Sequence, residues 1–313
     1  MSEIIRGLGN EEYHHGEQYA DYISSTQLKH YLKSPKAYRH ALLHPEDEKS
    51  EALDFGSLFH SCIEAWIGNR QDEWLHSIAV FEPPVNEKTG QPYGSTTKAY
   101  AEAYAKFLGD KQGKTIQTRE ALDKVCNMAM ALFNECGETS EQVQKLAKWA
   151  KEIETSYFYE TPEGIKLKIR PDLLTNGKII DWKTCSLDSL DEDSIIKQIV
   201  KYRYDVSMAM YQYVLHEING IWYSPYLVFV TKAEPYEAIM VDMSLWCYNY
   251  DRELDFVSQG VGSMEFKRLL DLHTECTKNN EWPGVESLLK EENGIRVLKP
   301  SVPSWFGRRY FEE

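Results

Sequence analysis

The segment that most restricts this chain is residues 169–184, IRPDLLTNGKIIDWKT. Its branched and aromatic residues favour strands, and Asn176-Gly177 is a turn-forming pair between them. Asp172 is therefore expected at the end of one strand and Asp181 within the next. Strand side chains alternate between faces, so Asp181 and Lys183 share one face and Trp182 points to the other. Two carboxylates delivered from neighbouring strands suit a hard divalent cation such as Mg2+. A lysine beside them places positive charge where a phosphate under attack needs it. On spacing alone, a surface Asp–Lys pair on an edge strand accounts for the pattern equally well.

Around this segment the pattern is mixed. Residues 153–160 and 165–170 flank Thr161-Pro162-Glu163-Gly164 as a hairpin, and residues 226–232 and 236–241 form two further strands. The spacing of Tyr204, Met208, Tyr211 and Leu215 predicts a helix over 202–218, and a long helix is expected near 244–280. Upstream, a capping pattern at Ile23-Ser24-Ser25-Thr26-Gln27-Leu28 opens a helix that Ser34-Pro35 breaks, and a second follows through Tyr38 and Leu42. Residues 54–66 carry Leu58, Phe59, Cys62, Ile63 and Trp66 on one broad apolar face. Residues 81–97, FEPPVNEKTGQPYGSTT, read as a long loop before helical stretches near 98–110 and 118–150. The fold class is α/β, with a mixed β-sheet core flanked by helices behind a helical N-terminal half. The expected organisation is a loose N-terminal arm at 1–21, one domain over 22–280 with a helical insertion at about 81–150, and a C-terminal tail at 281–313.

The chain has 35 basic and 49 acidic residues, a net charge of −14, which argues against a general nucleic-acid coat. It leaves room for an enzyme whose basic groups line one groove. None of the six cysteines forms a C-x2-C pair, so zinc ribbons are not indicated, and buried free thiols are expected. The apolar runs are strand-sized and the first residues show no basic-then-apolar leader pattern, so a soluble, cytoplasmic protein is the expectation.

His60 lies in Gly56-Ser57-Leu58-Phe59-His60, on a helix otherwise apolar on that face. A lone histidine there is ordinarily a core residue. With two carboxylates and a lysine available downstream, it becomes a candidate third metal ligand through a neutral imidazole nitrogen. Gly56, one turn earlier, would let another backbone approach closely.

These residues resemble the PD-(D/E)XK nuclease superfamily, most closely the RecE/exonuclease VIII group of phage-type recombination exonucleases. Asp172, then Asp181-Trp182-Lys183, match its motif, and His60 matches its upstream G-x-x-x-H position. The stretch from Ile23 to Tyr38, the helix carrying Tyr211, and Phe229-Val230-Thr231-Lys232-Ala233-Glu234-Pro235-Tyr236 resemble further signatures of the group, so the likeness spans about residues 22–241. One departure is Ser207, which stands four residues before Tyr211 where related nucleases often carry glutamine; its hydroxyl has shorter reach to a phosphate. The scattered cysteines argue against the iron–sulfur branch of the superfamily.

The resemblance implies a restriction-endonuclease-like fold and Mg2+-dependent phosphodiester hydrolysis, with Mn2+ able to substitute. It implies that His60, Asp172, Asp181 and the backbone carbonyl of Trp182 hold the metal, and that Lys183 positions a water or neutralises developing charge. Thr26 and Arg39 fall where related exonucleases hold a 5′ phosphate, and Ser207 and Tyr211 lie on the helix after the lysine. Lys168 and Arg170 alternate with Ile169 beside the site, as phosphate contacts or as a solvated strand face. Glu154, at the start of the preceding strand, is a supporting carboxylate or an exposed strand end. The implied activity is 5′-to-3′ exonucleolytic degradation of linear double-stranded DNA, leaving 3′ overhangs. It also implies a single-strand annealing partner of the RecT/Bet type, a cyclic homo-oligomer, and a phage or prophage origin. A single-strand-specific or endonucleolytic enzyme, or a catalytically silent DNA-binding protein, would use the same scaffold.

Overall fold

The strand Lys178–Cys185 buries residues on both of its faces, which requires helices on each side of its sheet. The computed structural model describes residues 2–44, 51–111, 113–133, 137–187, 189–289, 291–292, 294–298 and 300–301. The strands that position the site are β1 (Ser2–Ile5), β2 (Glu152–Ile153), β3 (Ser156–Glu160), β4 (Lys166–Ile169), β5 (Leu173–Leu174), β6 (Lys178–Cys185), β7 (Ser224–Thr231) and β8 (Ala238–Asp242). The helices packed around them are α1 (Asn10–His15), α2 (Ser25–Leu28), α3 (Pro35–Leu43), α4 (Glu51–Ile67), α5 (Arg119–Phe133), α6 (Glu138–Lys148), α7 (Glu192–Tyr202), α8 (Tyr204–Asn219) and α9 (Val261–Asn279).

The central five-stranded sheet has the order β8-β7-β6-β5-β2. Only β6 and β7 run parallel, and the crossover between them carries α7 and α8. A three-stranded antiparallel sheet, β1-β3-β4, lies beside it. The expected alternation of β6 is what divides the core. Ile179 and Cys185 join Leu227 and Phe229 on one face, against Val206 and Met210 of α8 and Phe266 of α9. Ile180 and Trp182 join Val228 and Val230 on the other, against Phe59 and Ile63 of α4 and Val125 and Met128 of α5. Asp181 and Lys183 therefore share the α8 face, at positions where an apolar residue would otherwise pack.

Local chemistry sets the connections. Ser24 and Gln27 form a reciprocal capping box at α2 (3.3 and 2.8 Å), and Ser34 caps α3 with Pro35 in its first turn. Gly164 and Gly177 close the two strand turns at φ +84° and +79°, the left-handed region that glycine occupies without strain.

Four features differ from the sequence expectation. Residues 2–21 of the expected arm at 1–21 are not loose, because β1 pairs with β3 and Tyr13 and Tyr19 are buried against Phe158. The expected helix near 244–280 begins only at Val261, after a hairpin of Tyr248–Asp251 and Phe256–Gln259. There, Asp251 accepts hydrogen bonds from the amides of Glu253 and Leu254, a turn that overrides the apolar spacing. The helical N-terminal half also contains a short parallel pair, Ile78–Val80 with Thr115–Gln117. Finally, the tail is docked at its start, where Trp282 stacks on Tyr38 with ring centroids 5.6 Å apart; residues 302–313 lie outside the described residues. Five cysteines are free, four of them buried, and Cys136 lies outside the described residues. Among the described residues no helix is long and apolar enough to cross a membrane.

Trp182 is the largest fully buried side chain on the α4 face of β6. Trp182→Ala should lower the free energy of unfolding by about 3–5 kcal/mol in urea titration. A loss under about 1 kcal/mol would show that this layer does not pack as described.

Candidate active site

Asp172 sits where the chain passes from β4 into β5. Its Oδ2 accepts the Trp182 N–H at 2.6 Å, and its own carbonyl accepts the Glu154 N–H at 3.1 Å. These bonds fix both carboxylates relative to β6. Glu154 occupies the bend between β2 and β3 at φ +45°, a left-handed conformation that costs a non-glycine residue roughly 1–2 kcal/mol. His60 enters from α4. Its Nε2 donates to the Trp182 carbonyl at 3.1 Å, which turns Nδ1 toward Asp172 Oδ1 (3.3 Å) and Glu154 Oε1 (3.8 Å). The available ligand atoms of His60, Glu154 and Asp172 all lie within 4.8 Å of one another. One imidazole nitrogen and two carboxylate oxygens in that space fit Mg2+ or Mn2+.

Asp181 is buried beside this group and forms a close ion pair with Lys183, whose Nζ also lies 5.1 Å from the Tyr204 ring centroid. Burial disfavours every charge here, yet the groups compensate one another. His60 is opposed by burial but held by Asp172 and Glu154, so its pKa rises to about 10. Burial pushes Glu154 up to about 7, against the pull of His60. Burial also works to raise Asp172, but His60, Lys183 and the Trp182 amide bring it below the usual carboxylate range. Asp181 is raised by burial despite Lys183. Lys183 is opposed by burial, but Asp181 and Asp172 hold it above its ordinary value, so its ammonium stays protonated. Tyr211 is also kept protonated, by burial and by the negative charge of Asp181.

His60, Glu154, Lys183 and Tyr211 open onto a cleft of about 1120 Å³, lined also by Thr26, Gly56, Lys168, Arg170 and Tyr204, with Asp172 and Asp181 buried behind its wall. The structure differs from the expected site in several places. Glu154, expected to support the site, is the second carboxylate beside His60 and Asp172, whereas Asp181 faces Lys183. The Trp182 carbonyl, expected in the metal shell, has one lone pair occupied by His60. Lys168 is buried and its Nζ donates to the carbonyls of Tyr13 (2.9 Å) and Tyr19 (3.4 Å). Arg170 donates to Ser156, Asn10 and Leu8, so both cations brace the N-terminal segment. Arg39 is not in the cleft wall but lies over Trp282, 5.4 Å from the ring centroid. Ser207 is half-buried, one helical turn before Tyr211. Gly56 admits no close backbone neighbour; a Cβ there would meet nothing within 4 Å.

Lys29 was not singled out by the sequence. Its Nζ donates to the Tyr202 carbonyl at 3.1 Å, and burial together with Lys183 pushes its pKa down to about 8. The available signal was its position one residue beyond the capped α2, three residues after Thr26.

A cation using His60 Nδ1 must displace a proton that is held up to about pH 10 in its absence. Mn2+ affinity should therefore rise with pH between about 6 and 8, by up to tenfold per unit for the His60 proton and more steeply below about pH 7, where Glu154 also releases one. Calorimetric titrations in buffers of differing ionisation enthalpy count that proton, and a pH-independent affinity would remove His60 from the ligands.

Comparison with known proteins bears on this geometry. No curated protein matches the chain. A crystal structure of a "putative exonuclease" from Eubacterium rectale superposes with a TM-score of 0.51 at 16% identity, covering 96% of this chain and 97% of that one. Taken with the match to a PDDEXK-like family model, this likeness makes the fold restriction-endonuclease-like. Residues 24–287 match the family described as PDDEXK-like domain of unknown function (DUF3799), and the chain belongs to that family.

Proposed function

We propose that this chain is an exodeoxyribonuclease dependent on Mg2+, with Mn2+ able to substitute, that degrades linear double-stranded DNA from the 5′ end and leaves 3′ overhangs. The observation that carries the reading is the convergence of His60, Glu154 and Asp172 beside the Lys183–Asp181 pair on a cleft. When bound, a divalent cation supplies polarisation of the phosphodiester and acidification of a water. His60, Glu154 and Asp172 would hold it with Asp181 beside them, and the Lys183 ammonium, paired with Asp181, would face a phosphate oxygen. Lys183 is protonated, so it acts as a fixed positive charge and not as the base. Tyr211 contributes a neutral O–H donor at the same wall.

The DNA substrate is supported by charge placement. In a chain of net charge −14, Lys168, Arg170, Lys183 and Arg70 line the cleft, and Lys29 lies beside Lys183. The polarity, an annealing partner of the RecT/Bet type and a ring-shaped homo-oligomer rest on the resemblance to the RecE group.

Cleavage of 5′- and 3′-labelled linear duplexes, compared with closed circles, tests the reading. Linear duplexes should be shortened from the 5′ end and closed circles should survive; cutting of circles would make the enzyme endonucleolytic. Asp172→Asn should abolish cleavage with the fold intact, because it keeps the shape and removes the ligand charge. Lys183→Ala should lower the rate by roughly 10²–10³-fold, the cost of a lost electrostatic donor. Full activity in EDTA would exclude the metal-dependent mechanism.

A further inference from the structure

The residues that precede the matched family region are built into the site. β1 pairs with β3 from Ser2 opposite Tyr159 to Ile5 opposite Ser156, and Asn10, Tyr13 and His14 then line the cleft. Arg170 fastens this segment. Its Nε donates to Ser156 Oγ (2.9 Å), Nη1 to Asn10 Oδ1 (2.7 Å) and Nη2 to the Leu8 carbonyl (3.0 Å). The guanidinium lies 4.1 Å from the centroid of the Tyr13 ring. Every one of these partners is neutral, and Arg170 has no ion pair among the described residues. A half-buried arginine beside a carboxylate would ordinarily pair with it. A carboxylate is at hand, since Glu154 lines the same cleft as Arg170 and, among the carboxylates, acts most strongly on its charge.

If Arg170 turned onto Glu154, a charge-assisted pair would occupy one of the three groups that converge for the cation. It would also bring a positive charge to the place where the cation belongs. We propose that residues 2–22 act as a tether that holds Arg170 off Glu154 and leaves that carboxylate free for the metal. Asn10 and Tyr13, acting through Arg170, are then positioning residues. The inference rests on the reading of His60, Glu154 and Asp172 as metal ligands.

Mn2+ uptake by the full chain without DNA, followed through the EPR signal of the free ion, tests the tether apart from turnover. Asn10→Ala/Tyr13→Leu should raise the Mn2+ concentration for half-occupancy about tenfold, and adding Arg170→Ala should restore it to within about twofold of wild type. A merely structural role for the segment would not be rescued by removing the arginine. Wild-type affinity in the folded double variant, or a triple variant as weak as the double, overturns the proposal. If the double variant shows no melting transition, Asn10→Ala with and without Arg170→Ala gives the same comparison from an exposed side chain. A wild-type chain that takes up no Mn2+ overturns instead the metal reading beneath it, so the two failures are distinguishable.

Discussion

Trp182 donates its N–H to Asp172 Oδ2 at 2.6 Å and accepts from His60 Nε2 through its carbonyl at 3.1 Å, while its indole is buried against α4 and α5. One residue thus joins the core to the cleft through its indole and the two peptide groups that flank it. The indole sets how close α4 approaches β6, and the closeness of α4 sets whether His60 reaches the carbonyl. The N–H holds Asp172 in register with β6, and Asp172 in turn accepts the Glu154 amide. The geometry of the site is therefore inherited from packing. A loop-borne site would lack this rigidity, because nothing would lock the rotamers of its ligands.

Burying this many charges in one place is tolerable only because they neutralise one another. Without a metal, the His60 proton and the Lys183 ammonium stand against Asp172 and Asp181, while Glu154 is close to half-protonated near neutrality. The protein thus keeps a proton between Asp172 and Glu154, where the candidate cation would sit. Replacing that proton by a divalent ion raises the positive charge, which the ionisation of Glu154 then balances. Lys29, which donates to a carbonyl, is only partly compensated by Asp181 and Asp205, and burial and Lys183 push its pKa down to about 8.

Period-two alternation was legible wherever neighbours in sequence decide the outcome. It placed Asp181 and Lys183 on one face of β6, and the Thr161–Gly164 and Asn176-Gly177 turns closed the strands where expected. His60 was legible only by reference to residues more than a hundred positions away, because its own helix gives it a core environment. Glu154 was undervalued because its left-handed backbone, which the sequence does not announce, brings a strand-end carboxylate into the site. Lys168 lies on β4 and Arg170 just beyond it, in the cleft wall, but their partners lie about 150 residues upstream in a segment that read as loose. The hairpin before α9 was hidden because its apolar spacing mimics a helix and only the Asp251 turn separates the two.

These long-range bonds explain how an acidic chain can hold two cations, Lys168 and Arg170, in the cleft wall without an acid partner. Scattered surface lysines would be screened beyond about a Debye length and would be opposed by the surplus of acids. Lys168 and Arg170 instead donate to carbonyl, hydroxyl and amide oxygens, which orient the cations without cancelling their charge. Burial keeps solvent from screening them, at the cost of pushing the Lys168 pKa down to about 8. A positive field confined to one groove can attract a polyanion locally even where the whole surface repels it. The N-terminal segment is what makes this possible, since Tyr13, Tyr19, Asn10 and Leu8 supply most of the neutral acceptors.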